Sequence, residues 1–344
     1  MTWVLNVLLS LTPVVAYLAA LVYMDSYKLV PVRKVAITIA AGGLVALACL
    51  LANQALLDAS GIRFDLFTRY VAPVVEETGK GLIVVVLIRS RRIGFLVDAA
   101  IHGFAAGAGF ALVENVFYLG TLADATTLLY LIRGFGTAIL HGSTTALFAI
   151  LSRGLLGRHG ERPAWFLPPL AAAILVHSLF NHFVVPPLVM TLAQLAILPL
   201  LLVLVFERSE RATRRWLGVG FDTDVELLEM IDTGRFPETR LGRYLETLRG
   251  QFPGLVVADM LCLLLVYLEL SIRAKGILLA RKAGIDVPVD EEVRANLKEL
   301  AFLERSVGKT GRLALAPVRH TGSRELWQLT MLGGSARHVR QTHY

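Results

Sequence analysis

Apolar residues in the first 206 positions fall into seven long runs, separated by short polar stretches that hold most of the lysines and arginines of that half. A helix needs ~20 predominantly apolar residues to cross the hydrocarbon core of a bilayer. The runs at about Trp3–Met24, Val35–Leu57, Thr68–Ile88, Gly94–Leu119, Thr127–Leu151, Trp165–Val185 and Leu188–Phe206 each meet that length. The pattern predicts an all-α chain, a polytopic membrane bundle of about seven transmembrane helices. From Glu207 onward the pattern becomes that of a soluble, mainly helical domain, with 21 Lys/Arg against 18 Asp/Glu. Asp290-Glu291-Glu292 opens an amphipathic helix carrying Val293, Leu297, Leu300 and Val307 near one face, with acids at the end where the helix dipole favours them. The most apolar piece of this half, Leu255–Leu268, is short for a span and contains Asp259, so it reads as a buried core helix. Two domains are therefore expected, 1–206 in the membrane and 207–344 outside it.

Composition sharpens this picture. The chain is 55% hydrophobic and 18% charged, against about 25% charged in soluble domains. Mean hydropathy is +0.62. The net charge of +7 is modest, and no nucleic-acid partner is expected; the lipid bilayer is. Cys49 and Cys262 are too few and too far apart for a disulfide framework or a zinc ribbon. Met1-Thr2-Trp3-Val4 lacks a positive leader, so the first run is expected to be a span and not a cleaved signal.

Loop charges set the orientation. Lys28, Arg33 and Lys34 follow the first run, Arg63 the second, Arg89, Arg91 and Arg92 the third, and none the fourth. Arg153, Arg158 and Arg162 follow the fifth, and Arg208, Arg211, Arg214 and Arg215 the seventh. By the positive-inside rule this alternation places the N-terminus outside and the C-terminal domain in the cytoplasm.

Each charge at the centre of a membrane helix costs ~2.5–3.5 kcal/mol on an insertion scale, so the polar residues within the runs call for a function. Glu76, Glu77 and Lys80 lie in the third run, Asp98, His102, Glu114 and Asn115 in the fourth, Arg133, His141, Thr144 and Thr145 in the fifth, and His177, Asn181 and His182 in the sixth. At ~1.5 Å rise per residue, Glu76, Glu114, His141 and His177 can share the middle-to-outer half of the bilayer, whereas Asp98 and His102 fall in the inner half. Two imidazoles and a carboxylate, with a second carboxylate nearby, are the parts of a hydrolytic zinc site. His141, His177 and Glu114 are expected as ligands and Glu76 or Glu77 as general base. Lys80, one turn from Glu76, is expected to keep that carboxylate ionised. In a metal-free version a Glu and a His activate water directly and Asn181 helps to stabilise the oxyanion. His102 and His182 read as helix–helix hydrogen-bonding groups, Arg133 as a snorkelling or carboxylate-paired side chain, and Gly103, Gly107 and Gly109 as close-packing glycines.

Four stretches together carry a resemblance. Glu76-Glu77-Thr78-Gly79-Lys80 matches an EExxK motif, and Gly103 through Glu114-Asn115 a glycine-rich motif ending in Glu-Asn. His141-Gly142-Ser143-Thr144-Thr145 and His177-Ser178-Leu179-Phe180-Asn181 supply two histidine motifs. In order on four consecutive helices, these resemble the PrsW family of intramembrane metalloproteases, distant relatives of the type II CAAX-prenyl endopeptidases. The resemblance covers roughly 1–206 and implies hydrolysis of peptide bonds in a membrane-anchored protein or peptide, on the extracytoplasmic side. A glutamate protease without metal, a proton-coupled transporter and a catalytically silent adaptor acting through its tail are the rival readings. Substrate identity and oligomeric state have no signature in the chain.

Overall fold

The computed structural model of the protein describes residues 2–121, 132–182, 184–315 and 323–333, without the side chains of 2–10, 119–121, 199 and 202. Among them every regular element is helical. In chain order these are α1 (Thr2–Met24), α2 (Val32–Ser60), α3 (Ala72–Arg89), α4 (Leu96–Thr121), α5 (Ile139–His159), α6 (Leu167–Asn181), α7 (Pro187–Asp232), α8 (Arg240–Leu248), α9 (Gly254–Lys282), α10 (Glu291–Ser306), α11 (Gly308–Leu315) and α12 (Ser323–Met331). π-Helical turns at Phe67–Val71 and Ile132–Ala138 lead into α3 and α5. The chain divides into two compact units, Met1–Arg89 with Ile93–Glu210, and Ser90–Arg92 with Arg211–Tyr344.

The polytopic all-α architecture expected from the runs is what the chain adopts. Among the described residues, six helices are long and apolar enough to cross a membrane: α2, α4, α5 with its leading turn, α6 with its leading turn, α7 and α9. α1 contributes a shorter apolar stretch, Leu11–Met24. α3 fails a purely compositional test because Glu76, Glu77, Lys80 and Arg89 fall within its 18 residues, yet it stands where the third run was expected. The start of the fifth run, at Thr127, lies outside the described residues.

Burial in the first unit is the reverse of a soluble protein's. Leu44, Leu51, Val86, Leu175 and Leu200 are exposed, while Glu77, Lys80, His141, Thr144 and His177 are buried, Lys80 completely. Exposed apolar surface of this extent marks a lipid-facing wall, and the polar interior is where intramembrane ionisable groups are kept.

α4 is clasped between α2 and α5, and glycine makes the clasp possible. A Cβ on Gly109 would lie 1.9 Å from the Ile39 carbonyl oxygen, and one on Gly42 2.0 Å from that of Ala106. On the other face of α4, a Cβ on Gly107 would lie 2.1 Å from the His141 carbonyl oxygen, and one on Gly103 2.7 Å from that of Thr145. The expected role of these glycines is thus met: they let helix backbones approach to a distance no larger residue permits. His102 also has its expected helix–helix bond, with Nδ1 2.9 Å from Thr38 Oγ1. Asp98 caps α4, accepting from the backbone N–H groups of Gly94 and Phe95 at 2.7 Å each.

The second unit has its own core. Met260, Leu263, Leu270, Ala274 and Ile277 of α9 pack with Phe236, Leu245, Val293, Leu300, Leu303, Leu315 and Leu329. α9 runs to 29 residues, about twice the apolar stretch that suggested it, because Ser271, Arg273 and Lys275 continue the helix as a polar face. Lys275 donates to Asp224 Oδ2 at 2.6 Å and to the Gly220 carbonyl at 2.9 Å, and Ser271 donates to the same Asp224 oxygen at 2.6 Å. α10 begins where its acids predict, with the Asp290 side chain accepting from Val293 N–H at 2.9 Å.

Candidate active site

Four elements of the first unit converge on one polar cluster. α3 brings Glu76, Glu77 and Lys80, α4 brings Glu114 and Asn115, α5 brings His141 and Thr144, and α6 brings His177. The imidazoles of His141 and His177 stand edge to face with centroids 5.0 Å apart. One ligand atom from each of Glu76, His141 and His177 lies within 4.8 Å of the others. Glu114 joins from the side, with Oε2 2.6 Å from His141 Nε2.

The adjacent carboxylates of α3 have different surroundings because they point about 100° apart around the helix. Glu77 faces inward and its Oε1 accepts three bonds: from Lys80 Nζ at 2.6 Å, His177 Nδ1 at 2.8 Å and Thr144 Oγ1 at 3.1 Å. Glu76 faces the cluster. Its Oε1 accepts from Asn53 Nδ2 of α2 at 3.1 Å, and its Oε2 lies 3.9 Å from His177 Nε2. The expected Glu76–Lys80 pair does not form. Lys80 takes the i−3 partner instead, because Glu77 and Lys80 both face the interior while Glu76 turns toward α2. Lys80 Nζ also lies 2.9 Å from His141 Nδ1, so Glu77 and Lys80 form a bridge running behind both imidazoles.

Whether these residues suit a metal is decided by their unmet polar atoms. His177 gives its Nδ1 proton to Glu77, which leaves the lone pair on Nε2 aimed away from that bond, as in carboxylate–histidine–metal arrangements. His141 Nε2 and Glu114 Oε2 are both buried and neither has a hydrogen-bond partner, although they are 2.6 Å apart: the ring N–H direction does not point at the carboxylate. The His141 Nε2 atom, without a hydrogen-bond partner, belongs to the group in which one ligand atom from each of Glu76, His141 and His177 lies close to the others. Ligation through Nε2 would place the His141 proton on Nδ1 and require Lys80 Nζ, 2.9 Å away, to accept it as the neutral amine. The residues fit a divalent cation.

Asn181 has a different setting from the one expected of an oxyanion donor. Its Nδ2 donates to the Thr68 carbonyl at 2.9 Å, and Ser178 Oγ donates to the Arg69 carbonyl at 2.7 Å. The cause lies in the sequence. Pro73 has no N–H, and that missing donor is the one owed to Arg69 O in an α pattern or to Thr68 O in the π pattern found there. α6 supplies a donor to each of the two carbonyls that the one missing N–H could have served, and so clamps itself to the base of α3. Asn181→Ala is expected to leave a carbonyl unsatisfied and lower stability by ~1–3 kcal/mol; adding Pro73→Ala, which restores an N–H, should recover much of the loss. Thermal unfolding of the single and double variants in detergent measures it.

The reading from sequence passed over Asn53, since a single neutral amide stands out little beside charged residues in an apolar run. Arg133 is placed as expected, paired with a carboxylate: its Nη2 lies 3.6 Å from Glu114 Oε1.

A profile of the family described as "PrsW family intramembrane metalloprotease" matches residues 30–206. No curated protein and no solved structure matches the chain.

Proposed function

The chain belongs to the PrsW family of intramembrane metalloproteases, and on that premise we propose that it cleaves membrane-anchored proteins with Glu76, His141 and His177 holding a metal and Glu114 acting as general base. The observation that carries this reading is the convergence of one atom from each of Glu76, His141 and His177 within 4.8 Å. It exchanges the roles of Glu76 and Glu114 relative to what spacing alone suggests. Glu77 takes neither role: with three donors on one oxygen it orients His177 and holds Lys80.

Two histidines and one carboxylate with an open position form a donor set that hydrolytic Zn²⁺ sites use, and zinc is the metal we assign. When bound, the metal lowers the pKa of a water toward ~7 and polarises the scissile carbonyl. Glu114, beside His141, takes a proton from the attacking water. The water oxygen adds to the carbonyl carbon, and Glu114 returns the proton to the leaving nitrogen as the C–N bond breaks, giving a carboxylic acid and an amine, which then exchange a proton to become carboxylate and ammonium. The interior setting requires the substrate to unwind locally, so that its backbone reaches the site. We place the N-terminus outside and residues 207–344 in the cytoplasm on the loop charges, with 1–206 as the catalytic core.

The role exchange is testable. Glu114→Gln should retain metal and lose about 10²–10⁴-fold in cleavage of a reconstituted single-span substrate, the usual contribution of a general base. Glu76→Gln should lose the metal itself. Metal retained in Glu76→Gln and lost in Glu114→Gln would reverse the assignment.

A further inference from the structure

Arg133 stands at the edge of this cluster with more donors than partners. It lies on the π-helical turn Ile132–Ala138 that leads into the helix of His141. Its Nε donates to Asn115 Oδ1 at 3.2 Å, and its guanidinium carbon lies 4.3 Å from the Tyr118 ring centroid. Its Nη2 faces Glu114 Oε1 at 3.6 Å, beyond hydrogen-bond length, and that nitrogen is buried with no hydrogen-bond partner. Asn115 and Tyr118 fix the plane of the fork, so the free N–H groups are held in place beforehand. The same carboxylate that faces Nη2 reaches His141 Nε2 through its other oxygen at 2.6 Å, which puts the cation beside the reacting centre.

We propose that Arg133 is a catalytic residue, whose Nη2 donates to the scissile carbonyl oxygen as negative charge develops on it. Resting on the metallopeptidase reading above, this supplies what Asn181, engaged with Thr68, is not placed to give. During attack the carbonyl π pair moves onto oxygen. A preorganised cationic donor in a water-poor interior is suited to that charge, and loss of one such donor costs about 10²–10³-fold in kcat. Arg is the appropriate residue because its planar fork can bond Asn115 with one nitrogen and the oxyanion with another, whereas lysine offers a point charge. Pairing with Glu114 alone would be served by a contact shorter than 3.6 Å and leaves the orphaned nitrogen unexplained.

The test separates action on the oxyanion from action through Glu114. N-phosphoryl-Leu-Leu-amide, whose phosphoryl oxygens imitate the tetrahedral oxyanion, serves as probe with full-length, metal-loaded protein in detergent. Binding is measured in the Glu114→Gln background, where any role through that carboxylate's charge is already removed. Adding Arg133→Met should weaken the probe by about 10²-fold with metal content unchanged, and Arg133→Lys should recover part of the affinity. In the presence of Glu114, Arg133→Met should lower kcat on the single-span substrate by a similar factor with little change in KM. Equal probe affinity with and without Arg133→Met would overturn the proposal while leaving the metal site intact. Absence of metal and of probe binding in Glu114→Gln itself would overturn the metallopeptidase reading, and this assignment with it.

Discussion

Replacing Glu77 by leucine should destabilise the protein by ~3–5 kcal/mol, the cost of leaving a buried charge without its partner. Lys80 is fully buried and Glu77 nearly so, and among the described residues no other carboxylate takes Lys80's bond. Glu77 also holds three donors on one oxygen, from α3 itself, α5 and α6, so its loss unties the helices that carry the two histidines. Adding Lys80→Met to Glu77→Leu removes both charges, and a buried pair replaced by apolar residues of similar volume is often no less stable. The double variant should therefore recover the part of the loss due to the uncompensated charge, while the bonds from His177 and Thr144 stay lost. It should not regain activity. His177 would lack the carboxylate that fixes its tautomer, and such supporting contacts are worth about 10–100-fold in metal affinity or turnover. Thermal unfolding and metal titration on the same three proteins check both halves. A double variant no more stable than Glu77→Leu would mean that the uncompensated charge is not the source of the loss.

The second large effect is expected at Gly107, which touches no reacting group. An added methyl would lie 2.1 Å from the His141 carbonyl oxygen and 2.7 Å from the Gly142 Cα. Backbone cannot yield as a side chain tip does, so α4 and α5 must move apart. Overpacking of this kind costs ~1–3 kcal/mol. The larger consequence is catalytic: Glu114 is on α4 and His141 on α5, and a displacement of about 1 Å can cost ~10²-fold in rate. Gly107→Ala should thus lose more activity than stability. Gly154→Ala on α5, where a Cβ meets nothing within 4 Å, should change neither for the worse. Cleavage rates and unfolding temperatures of the two variants make the comparison.

What the chain disclosed in advance follows from how much each feature depends on neighbours. The four site helices were legible because a charged residue in an apolar run has few solutions other than a shared interior, so Glu76, Glu114, His141 and His177 had to meet. The glycines of α4 were legible for a similar reason, since repeated small residues in a span serve close approach. The division of labour between Glu76 and Glu77 was not, because a helix offers i+3 and i+4 neighbours about equally and only the packing of α3 against α2, α5 and α6 chooses. Asn181 could not be placed without knowing that α6 lies beside the turn before Pro73, a contact more than a hundred residues away in sequence. Asn53 acquires meaning only through Glu76, which it holds. The full length of α9 is not legible from its apolar stretch, because the helix continues through Ser271, Arg273 and Lys275, whose polarity does not resemble a membrane run.

A metal held by Glu76, His141 and His177 is tested most directly by metal content beside peptide cleavage in the purified, reconstituted full-length protein, wild type and His177→Ala. About one metal ion per chain is predicted for a single closed donor set of this kind, with cleavage by the wild type and loss of both metal and cleavage in His177→Ala. A wild-type protein that cuts its substrate at full rate with no metal bound would contradict it.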